Sequence, residues 1–158
     1  MRRVLLMLGA LVVGLLVAIQ FIPYGRNHVN PPVLQEPRWD RPETRALTVR
    51  ACFDCHSNET VWPWYSHVAP LSWLVQRDVL EGRRTLNFSE WNRRQEARES
   101  IKMIHEGEMP PWLYALPGTT ARLKAGERAT LIAGLEATFD TNPPRPRGGG
   151  YESREGSE

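Results

Sequence analysis

The sequence has few of the features that mark several common classes of protein. It contains only two cysteines in 158 residues, so it cannot be a small secreted scaffold held by several disulfides. No run of five or six like charges occurs and the formal net charge is +2, which argues against a nucleic-acid-binding surface. No period-two strand pattern and no internal repeat is present, so we expect an all-α chain with a single globular domain.

The longest apolar run covers residues 4–22 and is broken only by Gln20. As a helix it would be roughly 28 Å long, close to the thickness of a bilayer's hydrocarbon core. Arg2 and Arg3 precede it, so the positive-inside rule places the rest of the chain across the membrane. We expect an uncleaved anchor over residues 1–23, with lipid contacts through residues 4–22, in the inner (cytoplasmic) membrane. A cleaved signal peptide is the alternative, although the run is long for one and lacks a small-x-small cleavage site.

Composition divides the rest of the chain into three segments. Residues 24–39 contain several prolines and no helical period, which predicts an extended spacer. Residues 40–140 carry apolar patterns of helical period and predict a domain of about four helices. Residues 141–158 are rich in Pro, Gly, Arg and Glu and predict a disordered tail outside the membrane, on the periplasmic side with the domain.

Capping residues, prolines and glycines predict the ends of the four helices. Pro42 opens the first, which we expect to run through the cysteines so that Cys52 and His56 share a buried stripe with Val49. The others are expected over residues 70–82, 89–107 and 124–139, with Ser89 as a cap and Gly82 and Gly107 as stops.

The most informative motif is CFDCH at residues 52–56. C-x-x-C-H is the attachment signature of c-type haem. Two thiols one helical turn apart can each bond to a haem vinyl group, and the following histidine can ligate the iron. The sequence therefore predicts one covalently attached haem c, held by Cys52, Cys55 and His56.

Two other kinds of site could use the same residues. A structural zinc site needs four ligands, and the sequence has no second cysteine pair or closely spaced histidine pair to complete the set. A redox dithiol of the thioredoxin type belongs to a fold that alternates strands and helices, whereas this sequence predicts helices only. Haem attachment is the interpretation we favour.

The second axial ligand of the iron is open among several residues. We favour Met109, because it follows a helix stop and lies in a segment stiffened by two prolines beside Trp112. His105, at a helix end, is the main alternative and would give a bis-histidine haem. The remaining candidates are Met103, His67 and His28. The predicted metal ligands are therefore His56 and Met109.

These residues belong to a longer pattern that resembles the bacterial haem-binding domain family over roughly residues 19–139. The blocks that carry the resemblance are NPP at 30–32, CFDCHSNET at 52–60, WPWYS at 62–66, APLSW at 69–73, NFSEW at 87–91 and GEMPPW at 107–112. The resemblance implies a cytochrome-c-like helical domain with the attachment motif near its start, a methionine-bearing loop and a closing helix. It supports the cofactor more than any particular reaction.

Three functions fit a haem of this kind. We favour an electron carrier with a six-coordinate iron, which would have a redox partner protein in or at the membrane and would not be an enzyme. A haem-based redox or gas sensor, or a peroxidase-like enzyme, would need an open sixth position and a distal group, for which His105 and Arg122 are the candidates. An accessory haem subunit of a larger membrane redox complex is the third.

Overall fold

The computed structural model describes residues 1–116 and 119–145, and it is helical, as predicted. Within these residues there is no strand, only isolated bridges. The helices are α1 (Arg2–Ala18), α2 (Pro42–Ala51), α3 (Phe53–His56), α4 (Leu71–Thr85), α5 (Ala97–Glu106) and α6 (Ala125–Thr141). Two 3-10 turns occupy Ile19–Phe21 and Trp64–His67. The all-α prediction is confirmed, and α2, α4, α5 and α6 are the four longer helices of the domain.

Helix α1 continues through the first 3-10 turn, and this helical stretch, Arg2–Phe21, is long and apolar enough to cross a membrane. None of the residues in α1 is buried by the domain. Gln20, the only polar residue in the apolar run, makes two hydrogen bonds with the backbone of Ala69 through its side-chain amide. Its Nε2 donates to the Ala69 carbonyl at 2.9 Å, and its Oε1 accepts from the Ala69 amide at 3.0 Å. The amide of Gln20 therefore joins the end of the apolar helix to the domain.

The predicted spacer is extended, but it lies along the domain instead of standing apart from it. The Leu34 and Gln35 amides both donate to the Ser89 carbonyl, and the Trp91 amide donates to the Gln35 carbonyl at 2.9 Å. Trp39, at the end of this segment, packs against the core with its ring centroid 5.4 Å from that of Phe88. We call residues 24–39 the arm.

Aromatic rings form the centre of the core. Phe53, Phe88, Trp91 and Phe139 are almost completely buried. Their rings follow one another at centroid distances of 5.9, 5.8 and 5.4 Å, which is the range of favourable aromatic packing. Because these rings come from α3, the segment between α4 and α5, and α6, the stack joins most of the domain.

Helices α2 and α6 cross in close contact at Gly134. A Cβ atom at this position would lie 2.0 Å from the Thr44 hydroxyl oxygen, so only glycine allows the approach. The low helix propensity of glycine makes Gly134 unfavourable within α6, but its missing side chain lets the two helices pack closely. The helix begins after Lys124, as expected, and ends at Thr141.

The first predicted helix is divided in two. Helix α2 ends at Ala51, Cys52 takes φ −125°, and a single turn, α3, follows. The expectation that one continuous stripe carries Val49 and the motif is therefore wrong: Val49 is exposed, whereas Phe53 is buried in the aromatic core. The break turns Phe53 inward and leaves the two cysteines and the histidine on the wall of a cavity.

Two other predicted helix ends are also wrong. Helix α4 does not stop at Gly82 but continues to Thr85, because Gly82 serves a close packing contact instead of a helix end. Ser89 does not cap α5, which begins at Ala97; its buried hydroxyl accepts a hydrogen bond from the Asn58 amide. Gly107 does end α5, with φ +79°.

The start of the predicted tail is bonded to the domain. The Asn142 carbonyl accepts from Trp91 Nε1 at 2.9 Å, and the Arg145 carbonyl accepts from the Gln95 amide at 3.0 Å. Residues 146–158, which make up most of the predicted tail, lie outside the described residues.

Candidate functional site

A cavity of about 820 Å³ opens beside the CFDCH motif. Its walls come from α3, α4, α5, α6 and the segment after α5, and most of the lining is apolar. Four residues expected to bind the cofactor all line it: Cys52, Cys55, His56 and Met109. The structure therefore brings together residues that are more than fifty positions apart in the chain.

His56 is oriented by two hydrogen bonds from its Nδ1 atom. Its Nδ1 lies 3.1 Å from the Gly82 carbonyl oxygen and 3.1 Å from the Leu86 carbonyl oxygen. Carbonyl oxygens can only accept, so Nδ1 carries the proton and the lone pair of the neutral ring is on Nε2. Burial lowers the pKa of His56 from its ordinary value, with the two hydrogen bonds acting in the opposite direction. A neutral imidazole with a fixed Nδ1 proton is the form that binds a metal through Nε2.

The two thiols are free and partly buried. Burial raises the pKa of Cys52 to about 12, and the neighbouring Cys55 acts in the same direction. Burial also raises the pKa of Cys55 to about 12, with the carboxylates of Asp54 and Asp78 adding to the shift and Arg83 opposing it. A redox-active dithiol needs a lowered thiol pKa. This environment therefore disfavours the thioredoxin-type alternative.

Hydrogen bonds fix the backbone of the motif on both sides. The amides of Cys55 and His56 donate to the Cys52 carbonyl at 3.1 and 2.8 Å, which closes the single turn of α3. The Phe88 amide donates to the His56 carbonyl at 2.8 Å and ties the turn to the segment after α4. The Ser57 hydroxyl donates to the Phe53 carbonyl at 2.8 Å. The site therefore has a backbone set by short-range bonds and one long-range bond.

Gly82 brings α4 against the motif. A Cβ atom there would lie 2.3 Å from the Cys55 carbonyl oxygen and 2.9 Å from its carbonyl carbon, so no side chain can be accommodated without a backbone shift. The Gly82 carbonyl is also one of the two acceptors for His56. The signal for this contact was present in the sequence: Gly82 falls on the stripe of Val75, Val79 and Leu86, which continues past it.

Met109 reaches the cavity from the turn that ends α5. The amides of Glu108 and Met109 both donate to the Met103 carbonyl, at 2.9 and 3.2 Å, so the chain reverses tightly at Gly107. Met109 is partly buried against the core. Further along, the Tyr114 hydroxyl donates to Asp78 Oδ2 on α4 at 2.9 Å. We call residues 107–116 the methionine segment; it is attached at both ends.

Tyr114 and Asp78 are functional candidates that the sequence reasoning missed. Both line the cavity, and they pair across 36 positions of the chain. Burial, followed by the bond to Asp78, raises the pKa of Tyr114 well above its usual value. No local pattern indicates such a pair, since it depends on how the methionine segment folds over α4.

Of the other residues considered as iron ligands, only Met103 lines the cavity in the part of the chain that the structure describes. Met103 lines the same cavity as Met109, so it is a possible alternative on geometric grounds. His105 lines a separate pocket beside α6 and does not line this cavity. His28 and His67 lie together elsewhere, with ring centroids 4.3 Å apart, and His28 stacks on Trp62. Arg122 is exposed and is also absent from the lining of this cavity.

The model of the haem-binding domain family matches residues 14–137, which is most of the chain. The chain belongs to this family. It is a haem-binding protein, and the resemblance found in the sequence is confirmed. No curated protein and no solved structure matches it.

The residues around the cavity fit a haem. The volume lies within the range of about 300–1,000 Å³ that is usual for sites of organic ligands, and the wall is apolar, as a porphyrin face requires. The donor set consists of a neutral imidazole with its Nε2 lone pair available, two free thiols and a thioether. These are the groups from which c-type haem sites are built. Among the described residues no cluster of His, Cys, Asp and Glu suits another metal ion.

Proposed function

We propose that this haem-binding protein is a membrane-anchored monohaem c-type cytochrome that transfers single electrons at the periplasmic face of the inner membrane. The observation that carries the proposal is the meeting, at one cavity, of both CFDCH thiols, a His56 ring fixed by two carbonyls, and Met109 from another segment. A bound haem would supply an iron that cycles between its ferrous and ferric states. The chain's residues hold it, exclude water and set its potential.

Each residue has a distinct part in this proposal. Cys52 and Cys55 would form the two thioether bonds that keep the cofactor attached. His56 would be one axial ligand, oriented by the carbonyls of Gly82 and Leu86. Met109 would be the other, and a thioether ligand favours the ferrous state relative to a second histidine.

Electron transfer is favoured over a peroxidase-like enzyme or a gas sensor. Those functions need an open position on the iron and a distal group beside it. His105 and Arg122, the groups suggested for that role, do not line the cavity in the part of the chain that the structure describes. Two methionines do line it. A six-coordinate haem with a redox partner protein at the membrane is therefore the better proposal.

The proposed anchor is supported by α1 and its 3-10 extension. This helical stretch begins with Arg2 and Arg3, is apolar beyond them, and buries none of its side chains in the domain. Mass spectrometry of the mature N-terminus tests the anchor: an intact chain is expected, and cleavage near residues 17–24 would identify a signal peptide instead.

Haem staining on a denaturing gel tests covalent attachment. Protein matured in a host with active cytochrome c maturation should keep its haem through denaturation, whereas Cys52→Ala and Cys55→Ala should each lose one thioether bond, and the double variant both. Met103→Ala is the control and should stain as the wild type does. A wild-type band without haem would overturn the proposal.

The absorption spectrum with and without carbon monoxide tests the ligand set. The reduced wild-type protein should resist carbon monoxide, and Met109→Ala should bind it and show a lower reduction potential. Met103→Ala, from the same cavity wall, should do neither. Ready binding of carbon monoxide by the wild type would favour the sensor or enzyme, and purification in a stable stoichiometric complex would favour an accessory subunit.

A further inference from the structure

A patch of exposed apolar side chains surrounds the point where the apolar helix joins the domain. On the helix side it contains Phe21, Ile22 and Tyr24, and on the domain side Val68 and Leu71. All are between 44% and 84% exposed, although each is large and apolar or aromatic. We call these five residues the junction patch. Exposed groups of this kind usually mark a surface that has a partner.

The two halves of the patch are held together by specific bonds. Gln20 pairs with both backbone groups of Ala69, which lies between Val68 and Leu71. Gly25 follows Gln20 in the chain and takes φ +79°. A Cβ atom on Gly25 would be 2.3 Å from the Ser72 carbonyl oxygen. The start of α4 is therefore fixed against the end of the apolar helix.

Helix length sets the depth of the patch. The 20 residues of Arg2–Phe21 would span about 30 Å, which is the thickness of a hydrocarbon core. The end of this helix would therefore lie at the boundary with the headgroups. Because Ala69 is within hydrogen-bonding distance of Gln20, Val68 and Leu71 would lie at the same level.

The charges around the patch suit an anionic lipid surface. Residues 1–35 contain no aspartate or glutamate, and neither do residues 60–77. Arg26 lies within this region and donates to Gln20 Oε1 at 3.1 Å. Anionic lipid headgroups repel carboxylates and tolerate cations, so the two segments that carry the patch suit a surface that contains anionic lipid.

We propose that the side chains of Val68 and Leu71 insert into the same bilayer that holds α1, so that the domain contacts the lipid surface through the junction patch. The inference rests on the proposed membrane anchoring. It also places the cofactor near the membrane: Leu71 faces lipid, while Leu74 and Val75, one turn along α4, line the cavity. The mouth of the haem site is thereby kept close to partners that are themselves in the membrane.

Photo-crosslinking of the full-length, haem-loaded protein tests this contact. Benzoylphenylalanine replaces Val68, Leu71, Leu80 or Leu11, one at a time, in nanodiscs of phosphatidylcholine and phosphatidylglycerol. Leu80 is the matched control, because it is on the same helix and is 49% exposed, against 46% for Leu71. It is nine residues further on, about two and a half turns, and so points the opposite way. Leu11 lies within the proposed anchor.

Lipid adducts are expected at Leu11, Val68 and Leu71, and none above the unirradiated background at Leu80. Adding Leu71→Glu should abolish the Val68 adduct, whereas Leu80→Glu should leave it, with the haem spectrum unchanged in both. Adducts at Leu11 without any at Val68 or Leu71 would overturn the lipid contact and leave the anchor standing. No adduct at Leu11 would overturn the anchor as well. Crosslinks from Val68 or Leu71 to a second copy of the chain would assign the patch to a protein interface.

Discussion

Gly82 combines two roles in one residue without a side chain. Its carbonyl accepts a hydrogen bond from Nδ1 of His56, and its missing Cβ lets the Cys55 carbonyl approach to a distance that no other residue permits. The orientation of His56, the proposed haem ligand, therefore depends on how closely α4 lies against α3. A change at Gly82 should affect both stability and the iron's surroundings.

Gly82→Ala should lower the free energy of unfolding by about 1–3 kcal/mol, because the added methyl group forces the Cys55 backbone away from α4. It should also weaken the bond to His56 and broaden the haem spectrum. Denaturant unfolding and absorption spectroscopy measure these two effects. Gly126→Ala is the control. A Cβ atom at this position would have no neighbour within 4 Å, so the change should stabilise α6 by up to about 1 kcal/mol. Equal effects of the two substitutions would contradict the close-packing argument.

The methionine segment is attached to α4 by Tyr114 and Asp78. Because the pair is half-buried and Asp78 can carry a charge, its hydrogen bond should stabilise the segment by about 1.5–3 kcal/mol. The bond does not touch the proposed ligand, but it limits how far Met109 can move. We therefore expect Tyr114 to position Met109 for the proposed haem site.

Tyr114→Phe should increase the rate at which the reduced protein binds carbon monoxide, while Met109 remains in place and the ferric spectrum changes little. Stopped-flow mixing measures this rate. Tyr24→Phe, which removes a hydroxyl from an exposed tyrosine of the junction patch, is the control and should have no effect. If both variants bind carbon monoxide at the wild-type rate, Tyr114 has no part in holding Met109.

Helix α6 is fixed at its start by Glu127. The Glu127 carboxylate accepts from the Lys124 amide at 2.8 Å, and it pairs with Arg50 of α2 at 2.7 Å. The ion pair with Arg50 is the largest cause that lowers the pKa of Glu127, from 4.5 to about 2, and the hydrogen bond from the Lys124 amide adds to it. This carboxylate therefore connects two helices and caps one of them.

Because the pKa of Glu127 is lower in the folded chain, its stabilising effect is complete above about pH 4.5 and is lost as the pH falls toward about 2. Glu127→Gln should therefore be less stable than the wild type at pH 6, and the difference should shrink steadily below pH 4.5. Denaturant unfolding across this range measures it. In an Arg50→Gln background most of this pH dependence should disappear. A difference that stays constant with pH would mean that the charge of Glu127 contributes nothing.

At the scale of the whole molecule, the sequence predicted what depends on local chemistry. The CFDCH spacing predicted Cys52, Cys55 and His56 as the residues that hold the cofactor, which stays a prediction, and Gly107 ends α5 as expected, just before Met109. Helical periods gave four domain helices and the apolar N-terminal helix. The structure places the residues of these separate motifs around one cavity, an arrangement that no single motif could predict.

The predictions that failed involve contacts between distant segments. From the sequence Gly82 looks like a helix stop, because its close contact with Cys55 is visible only in the structure. Ser89 looks like a helix cap, because the hydrogen bond that its hydroxyl accepts from the buried backbone amide of Asn58 is likewise visible only there. The prolines of the arm predict extended backbone correctly but cannot indicate that the arm lies along the domain. Each error follows from a residue whose role is set by a partner more than twenty positions away.

Arg83 connects the arm to the segment that follows the CFDCH motif. From α4 its guanidinium donates to the Ser57 carbonyl at 2.7 Å, the Val29 carbonyl at 2.9 Å, Asn30 Oδ1 at 2.7 Å and Thr60 Oγ1 at 2.9 Å. The acceptors on the arm, Val29 and Asn30, belong to the segment between the apolar helix and the domain, and Ser57 and Thr60 belong to the segment after His56. A planar group with fixed donors is needed to reach all four acceptors at once, and lysine cannot replace it.

Arg83→Lys should therefore lower the free energy of unfolding by about 2 kcal/mol, since its two buried acceptors, the Ser57 carbonyl and Thr60 Oγ1, lose their donor. It should also release the arm, so that limited proteolysis cuts within residues 24–35 faster than in the wild type. Arg84→Lys is the matched control, because Arg84 is exposed and its surface ion pair with Glu81 contributes at most about 1 kcal/mol. Denaturant unfolding and mass spectrometry of the early fragments separate the two variants. Equal protection of the arm in both would show that the contacts of Leu34, Gln35 and Trp39 hold it without Arg83.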